Sequence, residues 1–479
     1  YCCIMREKGN VSLNLFYRIP RNQTEEFMST VRETFPNRER KEIPGGRNLP
    51  DHLPERLTIA MPIWALHDTP EGGAYHDLDT MMRELVERGF NTIRFDDGAG
   101  LIDVSPDGSV RGTIPIVEPF PGFTRNIRQS WCCGDGGPCD LAGRLFELCE
   151  AAARHGIFLI LSSWYYLHTY QYCGDEARNR RLHAIPAHER YEYFATQLNL
   201  LLAELRRRGV IRQIAFAEIF NESDGLNFIN GYGNANHLSP EERHRFREEH
   251  AQALRRLIQQ NPDVLFAVDT YTPYTDPELF PDNPPIWNFH NYFLWDLYRV
   301  LERNLLVPGT DVTSPEERGD LDRFLLPHTV PLESIRNTRR GLLPAPEDWY
   351  RRIWLYAQLD QKSFPELSQR FRNALRQSAA QYREKLDISI KQAMEFHRQH
   401  CPDALLVCGE GLSFCARTQL QWEEESEEYW AMAEYFVRAN RRAGLWGTVL
   451  RSCCGPEDPS WHRCPEQLLR LNRIFKGEL

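Results

Sequence analysis

From residue 57 onward, short apolar runs alternate with longer stretches whose apolar residues recur every three or four positions. Leu57-Thr-Ile-Ala-Met-Pro-Ile-Trp64 is dense enough for a buried strand, and Leu78, Met81, Met82, Leu85 and Val86 then follow at helical spacing, with Gly89 as a stop. Asn91-Thr-Ile-Arg-Phe95 is the next strand, so the regular part of the chain opens with a βαβ unit. The same rhythm predicts a helix over 140–155 ending at Gly156, a third strand over 157–163, a helix over 188–208, and a fourth strand that starts at Ile214 and ends on Asn221-Glu222. Ser239-Pro240-Glu241-Glu242 reads as an N-cap followed by a first-turn proline, opening a helix to about 260. Strands five (264–268) and six (286–289) are joined by a short connection, and strand seven ends at Glu410. A helix over 426–443, strand eight over 445–450 and a helix over 465–476 finish the pattern. Eight strands alternating with helices specify the α/β class and a (β/α)8, or TIM, barrel.

Two stretches interrupt the rhythm, and a third precedes it. Residues 1–55 carry no sustained period and are dense in Arg, Asn and Pro, as an irregular N-terminal extension would be. Within the barrel segment 56–479, residues 97–139 hold a hairpin signal, Val104-Ser-Pro-Asp-Gly-Ser-Val110, and a Cys-rich loop; residues 294–375, marked by Pro308-Gly309, Pro331 and Pro344, read as a helical insertion after strand six. Both follow strand ends, so both are expected over the mouth of the barrel, where this fold builds its active sites. The insertion would then narrow the site toward a pocket.

The 479 residues carry 42% hydrophobic and 26% charged positions, and no apolar run nears the roughly 18 residues of a membrane span. A formal net charge of −10 argues against a general nucleic-acid binder, which needs a basic face for phosphate. Thirteen cysteines, several in adjacent pairs, favour a reducing compartment; with no basic-then-apolar leader in the opening residues, a cytoplasmic location is the expectation. Cys132-Cys133 and Cys139 have the look of a metal loop, but no second CxxC or His pair stands at zinc-finger spacing, so no metal is expected there.

The chemistry lies at the strand tips. Ile214-Ala-Phe-Ala-Glu-Ile-Phe220 runs into Asn221-Glu222, and Ala404-Leu-Leu-Val-Cys408 runs into Gly409-Glu410-Gly411. Two carboxylates delivered to one mouth suit glycoside hydrolysis, in which one group protonates the leaving oxygen and the other attacks carbon or activates water. Each glutamate taken alone could equally cap a helix or sit in a surface ion pair. Glu218 lies on the same side of the strand as Glu222 by period-two alternation and reads as a polar residue of the barrel interior. Arg94 could pair with Glu218 or Asp96 and His168 could cap the strand-three loop. Of Trp64, Trp164, Trp287, Trp446 and Trp461, some would stack on sugar rings and the rest would pack in the core; Trp64, at the end of strand one, is the preferred platform.

The ordered set Arg94, His168, Asn221-Glu222, His290-Asn291-Tyr292 and Glu410 resembles the clan-A glycoside hydrolases, in their cellulase-like branch near family five, over roughly residues 57–476. The resemblance implies a retaining hydrolase of oligosaccharides or glycosides, needing neither metal nor organic cofactor and taking a carbohydrate as its partner. Glu222 would be the general acid/base and Glu410 the nucleophile. Asn221 would bond the sugar 2-hydroxyl, Arg94 and Tyr292 would contact Glu410, and His290 would lie near the acid/base or the substrate. A cation and a phenol would hold Glu410 ionised, while a less compensated Glu222 would keep its proton at neutral pH. The clan usually offers a Trp at the tip of strand eight, where this chain has Val449-Leu450-Arg451-Ser452-Cys453. Arg451, if it points into the mouth, would suit a carboxylate-bearing sugar through its planar fork. The competing readings are a transglycosidase and a catalytically inactive carbohydrate-binding barrel.

Overall fold

Ten strands form in this computed structural model, which describes residues 49–62, 66, 71–96, 113–116, 137–163, 173–224, 238–294, 297, 323–337, 354–413 and 420–479. They are β1 (Leu57–Ala60), β2 (Thr92–Asp96), β3 (Ile114–Ile116), β4 (Gly137–Cys139), β5 (Phe158–Ser162), β6 (Ile214–Glu218), β7 (Phe266–Thr270), β8 (Ile286–Asn291), β9 (Leu405–Gly411) and β10 (Gly447–Val449). Eight of them, all but the antiparallel pair β3/β4, close into one parallel barrel in the order β1-β10-β9-β8-β7-β6-β5-β2. The fold is therefore the expected (β/α)8 barrel. Every residue of β1, β6, β7, β8 and β9 is buried, because the strands face helices outside and packed side chains inside. Two-sided burial is why these segments read as continuous apolar runs and not as alternating ones.

Helices cover the outside at Leu78–Glu87, Leu141–His155, Glu176–His183, Arg190–Arg207, Pro240–Gln260, Phe364–His400, Glu427–Arg442 and Pro465–Lys476. Their ends follow local chemistry. Asp77 accepts from the Thr80 amide at one N-terminus, and Ser239 and Glu242 form a reciprocal capping box at another. Gly156 ends the helix before β5 in the left-handed conformation, φ 67°. Between β7 and β8 the chain passes through turns with no helix, as the short connection foretold.

Three expectations change. The insertion does not end at 375: a single 37-residue helix, Phe364–His400, runs across that position and joins the outer layer of the barrel. Helical spacing alone could not separate an inserted helix from the barrel helix it continues into. An additional helix, Glu176–His183, stands before the one anticipated over 188–208. Glu222 is not in a strand, since β6 stops at Glu218. The hairpin signal at 104–110, most of the insertion and residues 1–48 lie outside the described residues. What is described of the insertion is packed: Phe324, Leu332, Ile335, Trp354 and Leu359 are buried, and the Trp354 indole donates to the Val330 carbonyl.

Three of the five tryptophans weighed as sugar platforms belong to the core. Trp287 packs among Phe280, Phe289 and Phe396 under the long helix; Trp446 donates to the Pro54 carbonyl and lies beside Phe216; Trp461 stacks on Phe90, 5.7 Å between centroids. Trp64 and Trp164 lie outside the described residues.

Candidate active site

Polar side chains on successive strands meet inside the barrel around one guanidinium. Arg94, on β2, donates through Nη1 to Glu410 Oε1 at 2.7 Å and through Nη2 to Glu218 Oε1 and Asn221 Oδ1, both at 2.6 Å. Ser162 Oγ at 3.2 Å and Asp269 Oδ2 at 3.3 Å complete its surroundings. All of these groups are buried, and the arginine is 0% exposed, so its charge is balanced by protein carboxylates and not by water. Proximity to Glu218, Glu410 and Asp269 outweighs burial and holds the guanidinium firmly protonated.

Glu410 is reached from two further sides. Tyr292, just past β8, donates its hydroxyl to Glu410 Oε2, and Ser452 Oγ donates to the Tyr292 oxygen at 3.0 Å. Burial and the Glu410 charge push the Tyr292 phenol well above its ordinary range, so it remains a donor. Ser452 also accepts from the Gly411 amide at 2.9 Å, tying the tip of β10 to β9. A bulge aligns the strands here: Phe289 pairs with Cys408 but His290 pairs with Glu410, leaving Gly409 unmatched. Gly409 has to be glycine, since a Cβ there would stand 2.4 Å from Asn288 Oδ1.

Glu222 sits in the turn after β6 with φ 51°, a conformation that is uncommon outside glycine and is strained for a long side chain. Asp269 holds it there: Asp269 Oδ1 accepts the Glu222 amide at 2.6 Å, and the Asp269 carbonyl accepts from Ser223 Oγ at 2.8 Å. His290 lies between the two acids, its Nδ1 2.9 Å from Glu222 Oε1 and its Nε2 3.1 Å from Asp269 Oδ2. Burial opposes a charge on the imidazole, but Asp269, Glu410 and the bond to Glu222 raise it well above its usual value. In turn, burial would raise Glu222, yet the bond and charge of His290 hold it below the ordinary carboxyl range. The expectation of a less compensated Glu222 that keeps its own proton is thereby corrected; the compensating group is the His290 imidazole, two strands away across β7.

One ligand atom each from Glu222, His290 and Glu410 lie within 4.8 Å of one another, the only such trio among the described residues. A metal ion fits them poorly, because both imidazole nitrogens already face carboxylates and Glu410 faces Arg94 and Tyr292. The cysteine loop has only Cys139 among the described residues, a buried thiol that donates to the Leu66 carbonyl.

Arg94, Asn221, Glu222, His290, Tyr292 and Glu410 thus converge, while Trp64 and His168 lie outside the described residues. Arg451 does not join them. It is 1% exposed, with Nη1 2.6 Å from Glu423 Oε2 and Nη2 3.2 Å from Asp458 Oδ2, and its guanidinium lies over the Tyr429 ring. Burial and the Asp458 charge push nearby Glu424 up to about 8. The proposed contact with an acidic sugar fails because protein carboxylates already neutralise this cation. Arg451→Ala is accordingly expected to cost about 3–5 kcal/mol in denaturant unfolding, the penalty for stranding buried partners; a loss below about 1 kcal/mol would mean that Glu423 and Asp458 find other donors. Sequence reading missed Asp269, Asn288, Ser162 and Ser452. Asp269 and Asn288 are polar interruptions of apolar strands, the one signal that could have marked them.

These residues stand together at the mouth of a closed (β/α)8 barrel, and the known proteins to which the chain is similar are cellulase-like. Residues 59–295 match a family described as sugar-binding cellulase-like; that span includes Arg94, Glu222, Asp269 and Tyr292 and stops short of Glu410. The solved structure of a proposed glycoside hydrolase from Parabacteroides distasonis is similar to this chain with a TM-score of 0.56 at 16% identity, over 88% of this chain and 93% of that one. A tri-modular GH5 endo-β-1,4-glucanase from Bacillus licheniformis, solved with cellotetraose, gives 0.43 at 12% identity over 90% of this chain and 61% of that one. The cellulose synthase subunit Z of Clostridioides difficile gives 0.43 at 9%, over 87% and 99%. No curated protein sequence matches the chain.

Proposed function

We propose that this protein is a retaining glycoside hydrolase that cleaves O-glycosidic bonds by double displacement. The observation that carries the reading is the pair Glu222 and Glu410, whose nearest carboxylate oxygens lie within 4.8 Å across one buried mouth. That proximity accords with the roughly 5–5.5 Å carboxyl spacing of retaining enzymes, against roughly 6.5–9.5 Å in inverting ones. Glu410, oriented by Arg94 and Tyr292, attacks the anomeric carbon; Glu222 protonates the departing oxygen and then deprotonates the water that releases the sugar. Asn221, positioned by its bond to Arg94, offers its amide to the 2-hydroxyl. The substrate is a carbohydrate, an oligosaccharide or simple glycoside.

The test is a panel of aryl glycosides, with mass spectrometry after treatment with matching fluorinated glycosyl inactivators. A glycosyl adduct on the peptide containing Glu410 is the expected result. Turnover without an adduct, and with inverted product, would replace the double displacement by a single one. Absence of both turnover and adduct across the panel would favour a barrel that binds sugar without cleaving it, and transfer to an added acceptor in place of water would identify a transglycosidase.

A further inference from the structure

Asp269 has no part in the scheme just given, yet its carboxylate reaches the acid/base by two routes, one direct and one through His290. Its Oδ1 accepts the Glu222 amide at 2.6 Å, and its Oδ2 faces His290 Nε2 at 3.1 Å, whose Nδ1 is 2.9 Å from Glu222 Oε1. Resting on the glycosidase reading above, we propose that Asp269 is a positioning residue that makes His290 the proton carrier of Glu222, through a continuous Asp269–His290–Glu222 chain buried beneath the mouth.

N–H groups surround the Asp269 carboxylate: the Glu222 amide on Oδ1, and Asn288 Nδ2 at 2.7 Å, Arg94 Nη2 and the imidazole on Oδ2. Such a carboxyl acts as an acceptor toward Nε2. It therefore keeps a proton on Nε2 at all times, and Nδ1, the nitrogen that faces Glu222, becomes the one that exchanges. In the first step the glycosidic oxygen takes a proton from Glu222 as its bond to the anomeric carbon breaks and the Glu410 bond forms, while the Nδ1 proton moves to Glu222. In the second, water loses a proton to Glu222 as its oxygen bonds that carbon and Glu410 leaves, and the proton returns to Nδ1. Protons and bonds balance over the cycle, and Nε2–H never leaves.

The electrostatics agree in direction. Burial raises Asp269 to about 7, where Glu218 also pushes it upward while His290 and Arg94 pull it down; His290 is raised and Glu222 lowered. Further titratable groups facing the chain are Glu410, with Oε1 3.6 Å from Nε2, the buried Cys408 thiol, Tyr292, whose ring stands edge-on to the imidazole, and Asp224 beside Glu222. The titrating proton belongs to the set and not to one residue.

Asp269→Asn keeps an acceptor for the Glu222 amide but turns an NH2 group toward Nε2, which forces the imidazole neutral. On aryl glycosides with poor leaving groups kcat/KM is expected to fall on the order of 100-fold, and at least tenfold less on those with excellent leaving groups. Removing the negative charge beside His290 also moves the alkaline limb of the pH profile down by about one pH unit or more. Because the new amide meets the donors of Arg94 and Asn288, His290→Gln is measured beside it; this change leaves the Asp269 bond to the Glu222 amide in place and should show the same leaving-group dependence. Equal losses on both substrate types with an unmoved alkaline limb in both variants would reduce Asp269 to a backbone brace and overturn the proposal. A readout without turnover separates this from failure of the glycosidase reading. In 15N-histidine NMR, the signal missing from His290→Gln should be doubly protonated at pH 7 in the wild type and neutral in Asp269→Asn; an unchanged state in Asp269→Asn overturns the chain whether or not any glycoside is cleaved.

Discussion

Glu410→Ala is expected to lower kcat on the order of 10⁴-fold or more on every glycoside that the wild type cleaves, because the variant loses the group that forms the covalent intermediate. The cavity left by the carboxylate still holds the Arg94 Nη1 and Tyr292 hydroxyl donors that Glu410 satisfied. A small anion is suited to that gap. Azide should therefore restore turnover of activated aryl glycosides and give a glycosyl azide of inverted configuration. The fold should survive, since Glu218, Asp269 and Asn221 continue to balance Arg94. A loss smaller than about tenfold, or a normal retained product from the variant alone, would remove Glu410 from the role of nucleophile.

Arg94→Met should be the more damaging change to the protein itself. The guanidinium is shared by Glu218, Asp269 and Glu410, and all four side chains are almost fully withdrawn from solvent. Without it the three carboxyls face one another with His290 as their main remaining cation. Stranding buried charges in this way costs about 3–5 kcal/mol, to be read from denaturant unfolding at neutral pH. The sign of the pH dependence is fixed by the same argument: carboxyls raised above their unfolded values bind protons preferentially in the folded state, so the deficit should shrink as pH falls toward the ordinary carboxyl range and be largest above it. A deficit that is independent of pH would point to lost packing by the arginine stem and not to uncompensated charge.

Much of this molecule is written locally. The apolar runs at 57–60, 158–162, 214–218 and 405–411, separated by amphipathic helices, determine a parallel barrel because a strand buried on both faces has no room for alternation. Caps such as Ser239 with Glu242 and stops such as Gly156 set helix ends by bonds within a few residues, which is why those boundaries were legible. The order Arg94, Asn221-Glu222, His290-x-Tyr292 and Glu410 was legible for a related reason: barrel closure carries successive strand tips to one rim whatever lies between them.

What the tertiary structure alone decided is which charges neutralise which. Arg451 and Arg94 look alike as cations near strand ends, but one is enclosed by Glu423 and Asp458 behind β10 and the other binds Glu410. Asp269 carried no motif, yet it pins the left-handed Glu222 and backs His290 from the neighbouring strand. The tryptophans that might have lined a sugar site, Trp287, Trp446 and Trp461, face packed helices and loops. Backbone hydrogen bonding and burial follow from nearest neighbours along the chain and across a strand pair. Charge pairing depends on contacts such as the 2.7 Å between Arg94 and Glu410, 316 positions apart, and only the closed barrel sets those distances.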